Sequence, residues 1–259
     1  MRILFIGDIT GAAGISILRA QLPRILEDYP ADVVIANAEN AAPNGRGITP
    51  KIAEQLYDIG VEILTMGNHT WDQREAYQWL ADDMRVVRPA NFHVDAPGRG
   101  YTFCKVGKSE LAIGNLIGRT YMGLYACPFE AADRMLSEVK ERTPFCLIDF
   151  HAEVTSEKLA MGWYLAGRAS VVVSTHTHVQ TADERILPGK TAFISDVGMT
   201  GPRDGILGVK RDLIIKRFID QMPVRFELAE GAKQLSAVYV VLADDGRAQS
   251  IERILIVSD

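Results

Sequence analysis

Eight side chains carry most of the chemistry this sequence offers: Asp8, Glu39, Asn40, Asn68, His69, His151, His176 and His178. They include four of the five histidines, and each lies just past one of the apolar runs 3–6, 33–38, 61–66, 145–150 and 170–174. Side chains so placed can converge across the carboxyl edge of a sheet despite large separations in sequence. Together they supply imidazole nitrogens and carboxylate or amide oxygens, a donor set suited to manganese, iron or zinc and poorly matched to magnesium. A carboxylate such as Glu39 has two oxygens and could bridge two ions about 3.5–4 Å apart. A water between such ions would be acidified, the cations would neutralise phosphoryl oxygens, and a remaining imidazole could protonate the departing alcohol. That is phosphoester hydrolysis without a covalent protein nucleophile.

Each feature also has a plainer reading. Asp8 could cap a helix, Glu39-Asn40 could be a polar turn, and Gly67-Asn68-His69 a tight strand exit. His151 could be a satisfied buried histidine, and His93 is read as noncatalytic. His176-Thr177-His178 is more specific, because alternate residues of an extended segment share a face. No single plain account explains why nearly all the histidines, with carboxylates and amides, gather at strand exits.

The elements that must position these groups follow from the pattern. Strands are predicted at 3–6, 33–38, 61–66, 85–88, 101–106, 111–117, 145–150, 170–174, 191–196, 236–242 and 251–257. Helices are predicted over 15–28, from Pro50 at a first helical position with Thr49 as cap, and over 71–80, 128–140, 158–166 and 211–219. The Asn44-Gly45 region and the glycine-rich stretch 198–208 read as loops, and Asp245-Gly246 as a hairpin turn. Early strand–helix alternation with late hairpins argues for a layered α/β domain over residues 1–259 with at least one mixed sheet. An all-parallel, doubly wound sheet is the architectural rival.

Composition narrows the class. The 259 residues are 47% hydrophobic and 24% charged, as expected of a globular chain with a substantial core. No apolar run is long enough for a transmembrane helix. Cys104, Cys127 and Cys146 are odd in number and widely spaced, which suggests free thiols in a reducing cytoplasm rather than a disulfide framework. A formal charge of −5 argues against an extended nucleic-acid partner. It leaves a small phosphate substrate open, since bound cations invert the local potential.

Longer motifs surround the eight residues: Gly7-Asp8-Ile9, Ala38-Glu39-Asn40, Gly67-Asn68-His69-Thr70-Trp71-Asp72, Asp149-Phe150-His151-Ala152-Glu153 and Thr175-His176-Thr177-His178-Val179-Gln180. Further along stand Asp196-Val197-Gly198-Met199-Thr200-Gly201-Pro202 and Gln221-Met222-Pro223-Val224-Arg225-Phe226. With these motifs the sequence resembles the calcineurin-like metallophosphoesterases, specifically the YmdB-like bacterial phosphodiesterases, over essentially its whole length. The resemblance implies a four-layer α/β sandwich of two mainly mixed β-sheets flanked by helices. It implies one metal ion near Asp8, Glu39, Asn40 and His178, and a second near Glu39, Asn68, His151 and His176. Both would be divalent or mixed-valence ions, with iron or manganese favoured. His69 would be the general acid, and cyclic nucleotides, 2′,3′-cyclic ones first, the substrates. A homo-oligomer is compatible with the resemblance.

Two departures separate the chain from the wider superfamily. No histidine stands two positions after Asp8, and Glu39 occupies the place of the usual bridging aspartate. Both match the YmdB-like subgroup. The competing reading is a metal- or nucleotide-binding regulator with little turnover, which tight binding without hydrolysis would reveal; a phosphomonoesterase is the third.

Overall fold

The computed structural model describes residues 1–258. The first half comprises β1 (Arg2–Ile6), β2 (Asp8–Ile9), α1 (Gly11–Asp28), β3 (Val33–Asn37), α2 (Pro50–Ile59), β4 (Ile63–Thr65), α3 (Ala76–Asp82) and β5 (Val86–Val87). It continues with β6 (Tyr101–Val106), β7 (Ser109–Ile117), α4 (Pro128–Val139), β8 (Cys146–His151) and α5 (Thr155–Leu165). The rest is β9 (Val171–Thr175), β10 (Arg185–Leu187), β11 (Thr191–Ile194), β12 (Met199–Pro202), α6 (Arg211–Asp220), β13 (Lys233–Leu242) and β14 (Ala248–Ser258).

Two mixed sheets result. The first runs β2-β12-β13-β1-β3-β4-β5, with β14 also paired to β13. Its strands β1, β3, β4 and β5 are parallel, while β13 is antiparallel to β1 and β14. The second runs β10-β11-β9-β8-β7-β6, parallel from β11 to β7 and antiparallel at both edges. The all-parallel alternative is therefore excluded.

Strand alternation builds the layers. Ile3 and Phe5 of β1, Val33 and Ile35 of β3, Leu147 of β8 and Val171 and Val173 of β9 meet between the sheets. Their neighbours Leu4, Ile6, Val34 and Ala36 face α1 and α2 through Leu18, Leu22, Ile25 and Leu56. On the other side Cys146, Ile148, Phe150 and Val172 pack with Met135, Leu136, Met161 and Leu165 of α4 and α5. Strands covered on both faces read as continuous apolar runs, which is why the central strands stand out in the sequence.

Three details differ from the sequence expectation. The helix expected over 71–80 covers only Ala76–Asp82, because residues 67–72 form turns: the Thr70 hydroxyl donates to Gly67 O and Asp72 N to His69 O. The stretch 198–208 contains β12, which pairs with Asp8–Ile9. Glycine and proline hide that strand from any periodicity. Finally, β10 forms at Arg185–Leu187, where the sequence pattern predicts no strand. The predicted cap holds: the Thr49 hydroxyl accepts from Ile52 N at the start of α2.

Candidate metal centre

Parallel strands of both sheets deliver their carboxyl ends to one place. Asp8 follows the end of β1, Glu39 and Asn40 follow β3, and Asn68 and His69 follow β4. From the second sheet come His151, the last residue of β8, and His176 and His178 after β9. The approach is close: a Cβ on Gly67 would lie 2.4 Å from both Glu39 Oε2 and His151 Nε2. Only glycine leaves room there. His93 stands apart, exposed and beside Asp95.

The inward-facing atoms form two groups. In the first, His151 Nε2 lies 2.9 Å from Asn68 Oδ1, 3.0 Å from Glu39 Oε1 and 3.0 Å from His176 Nδ1. In the second, His178 Nε2 lies 3.3 Å from Asn40 Oδ1 and 4.0 Å from Asp8 Oδ1. Asp8 Oδ1 is buried with no hydrogen-bond partner, and it also lies 4.0 Å from His151 Nδ1. All seven predicted ligands are thus brought together.

The outer contacts of the imidazoles fix what faces inward. Thr175 Oγ1 donates its proton to Asp149 Oδ1 at 2.8 Å, so it accepts from His151 Nδ1, also at 2.8 Å. His178 Nδ1 donates to Leu207 O at 3.2 Å, and His176 Nε2 to Glu153 Oε2 at 2.9 Å. With His151 in its neutral form, each ring therefore turns a bare nitrogen toward carboxylate and amide oxygens that are bare as well. Lone pairs about 3 Å apart with nothing between them repel, whereas ligands at about 2.1 Å in adjacent positions on one cation stand at that spacing. The donors fit metal ions, and a hydrogen bond from the outer nitrogen is the usual support of a ligating histidine.

The electrostatics agree. Burial pushes the Asp8 carboxyl well above its ordinary range, with Asp196, Glu39 and Asp149 adding to the rise against the pull of His151. Burial would also raise Glu39, but the adjacent His151 and His69 hold it down to about 2. For His151, burial disfavours the charge, yet Glu39 overcomes it and lifts the imidazole to about 9. Desolvation and the neighbouring His151 lower His176 to about 3, and burial lowers His178. A cluster of buried acids that draws a proton onto a buried imidazole is one that a cation would satisfy better.

The His176-Thr177-His178 segment corrects one expectation. Its histidines do not share a face of an extended strand: His176 has φ 99° and His178 φ 64°. Such left-handed backbone is unfavourable for residues with a side chain and persists where surroundings enforce it. Here Asp196 enforces it. Its Oδ2 accepts from Thr177 N at 3.1 Å and from the Thr177 hydroxyl at 2.7 Å, and its Oδ1 from Gly198 N at 2.8 Å. Lys158 of α5, itself buried, donates to the same Oδ2 at 2.6 Å. Sequence reasoning missed Lys158 and gave Asp196 no role, since neither shows more than its letter. It also missed Asn37 and Thr65, which donate to Asp149 Oδ2 at 3.0 and 2.6 Å.

His69 stands slightly outside the two groups. Its backbone N–H donates to Glu39 Oε2 at 3.0 Å, and its ring Nδ1 lies 2.9 Å from Asp72 Oδ2. Among the described residues its Nε2 has no hydrogen-bond partner. The ring lines a cavity of about 900 Å³ together with Glu39, Asn40, His176 and His178. One whole wall comes from residues 207–228, a strap that carries α6, and Arg46 and Glu153 also line the opening.

Comparison with known proteins agrees with this fold. A 2′,3′-cyclic-nucleotide 2′-phosphodiesterase of Bacillus subtilis is 52% identical, covering 100% of this chain and 98% of that protein. A crystal structure of a hypothetical protein from Thermus thermophilus superposes with TM-score 0.94 at 39% identity, covering all of both chains. One described as a novel phosphatase from Mycoplasma pneumoniae gives TM-score 0.94 at 33% identity, covering 100% of this chain and 94% of that one. The family model described as YmdB-like protein matches residues 4–254. With nearly the whole chain matched in sequence and in fold, this protein belongs to the YmdB-like family.

Proposed function

We propose that the protein is a binuclear metal-dependent phosphodiesterase that opens 2′,3′-cyclic nucleotides at the 2′ bond and releases nucleoside 3′-phosphates. The observation that carries this reading is the pair of inward-facing lone-pair groups, joined by the unpartnered Asp8 Oδ1, on the floor of a cavity that His69 lines. Asp8, Asn40 and His178 would hold one ion and Asn68, His151 and His176 the other, with Glu39 shared. Imidazole and oxygen donors of this kind accommodate iron or manganese, the ions we propose. When bound, the two ions would supply acidified water and positive charge against the phosphoryl oxygens.

The chain's own residues do the rest. Asp72 at Nδ1 orients the His69 ring and leaves Nε2 toward the cavity, as a proton donor for the departing 2′ oxygen requires. The 2′ oxygen leaves with that proton, and the phosphate stays on the 3′ oxygen. The name of the 52%-identical relative supports this choice of bond and substrate. Free Cys104, Cys127 and Cys146 support a reducing, cytoplasmic setting; among the described residues no helix is long and apolar enough to cross a membrane.

The test is an anaerobic panel of 2′,3′-cyclic nucleotides, 3′,5′-cyclic nucleotides, linear diesters and monoesters after loading with Mn²⁺ or Fe²⁺, with products identified. Rapid formation of 3′-phosphates, together with a loss on the order of 10²–10³-fold in Glu39→Ala, is expected. Monoesters as the best substrates, or an unimpaired Glu39→Ala, would refute the proposal.

A further inference from the structure

A cyclic phosphate alone would fill little of a cavity of about 900 Å³, a volume within the usual range for sites that enclose whole organic ligands. The wall formed by residues 207–228 includes Arg217, Arg225 and Phe226. Phe226 is 39% exposed, and the Arg217 guanidinium carbon sits 5.2 Å from its ring centroid. Arg225 is exposed and, among the described residues, forms no hydrogen bond or ion pair. Arg46 lines the same cavity, so an acidic protein presents three guanidinium groups around this one opening.

The wall is anchored. Leu228, two residues beyond Phe226, packs so tightly on the main chain that a Cβ on Gly11 or Gly45 would lie 2.3 or 2.9 Å from its methyls. Lys210 N donates to Glu227 O at 2.9 Å, and Ala229 N to Gly208 O at 2.9 Å. Leu207, at the start of the strap, accepts from His178 at its carbonyl. Phe226 is therefore an aromatic surface held in place beside the phosphate-cleaving centre, partly covered by Arg217 and otherwise open. A flat π-face flanked by guanidinium groups is the recurring means of holding a nucleobase without reading its sequence.

We propose that Phe226, with Arg217 packed on it, is the base-binding wall of this site and the residue that selects nucleoside substrates over cyclic phosphodiesters that carry no base. The proposal rests on the phosphodiesterase reading above. Because the wall recognises a π-face, the four bases are expected to be processed within a few-fold of one another.

The test compares adenosine 2′,3′-cyclic phosphate with glycerol 1,2-cyclic phosphate, which carries the same five-membered phosphodiester and no base. Phe226→Ala should lose about tenfold in kcat/KM on the nucleoside substrate, chiefly through KM, and should leave the glycerol substrate unchanged. Phe226→Trp should restore the loss. A loss shared equally by both substrates, or no loss on the nucleoside, would overturn the base wall. Binding of adenosine 3′-phosphate against glycerol 2-phosphate reads the same wall without turnover. If wild type hydrolyses neither cyclic substrate but still binds the adenosine compound through Phe226, the catalytic reading fails and the wall stands. If Phe226→Ala binds adenosine 3′-phosphate as wild type does, the wall fails. Unchanged thermal unfolding of both variants confirms that the fold is intact.

Discussion

At the scale of the residue, the two nitrogens of each histidine have separate roles. His69 is tied to Asp72 at Nδ1 and open at Nε2, so its contribution depends on how badly the leaving oxygen needs a proton. His69→Ala is expected to slow a diester with a poor leaving group by about 10²–10⁴-fold, and one with a good leaving group far less, while both metals remain bound. Equal losses at full occupancy would rule out proton donation; Asp72→Asn should move rates in the same direction by a smaller amount. His151 depends on its outer partner instead. Thr175 Oγ1 accepts from His151 Nδ1 and donates to the buried Asp149, which fixes the ring's tautomer. Thr175→Val keeps the volume and removes both bonds, and should weaken metal affinity about 10–100-fold in a Mn²⁺ titration. Thr175→Ser should retain wild-type affinity. A valine variant that binds as wild type does would show the hydroxyl to be idle.

At the scale of the element, the informative contrast is between what strands announce and what turns conceal. The central strands and their exits were legible, because two-sided burial writes apolar runs and the ligands stand where those runs stop. The seven candidate ligands and His69 stand out in the sequence for that reason, aided by the family motifs, and the fold brings them together. The backbone of His176 and His178 was not legible, since a left-handed φ in a histidine has no letter of its own. Nor was the clamp that holds it, because Lys158 of α5 and Asp196, in the connection between β11 and β12, lie 38 positions apart. Breaking a buried ion pair from one side leaves an uncompensated charge and costs about 3–5 kcal/mol. Lys158→Met is expected to lose that much in denaturant unfolding. Lys158→Met/Asp196→Leu should recover only part of the stability while metal occupancy falls, because Thr177 and Gly198 have lost their acceptor. A double variant that is stable and fully loaded would show the His176–His178 turn to be held by other contacts.

At the scale of the whole molecule, the donor groups straddle the two sheets. Asp8, Glu39, Asn40 and Asn68 belong to strand ends of the first, and His151, His176 and His178 to those of the second. The sheets already share a core through Ile3, Phe5, Val171 and Ile194, so metal is not required to fold them together. It would instead fasten them at one edge, where buried Asp8 and Glu39 otherwise lie against each other's charge. Binding to the folded chain alone adds about 2.7 kcal/mol per ion at a metal concentration one hundred times Kd. For a chain of this size that corresponds to a rise in Tm of roughly 5–10 °C for each ion bound. Chelation of wild type should remove the rise, and Glu39→Ala, which lacks the shared carboxylate, should show a smaller one at the same metal concentration. Thermal unfolding with and without Mn²⁺ measures both. A Tm indifferent to metal in wild type would mean that the two sheets are not joined through these side chains, and the metal assignment would fall with it.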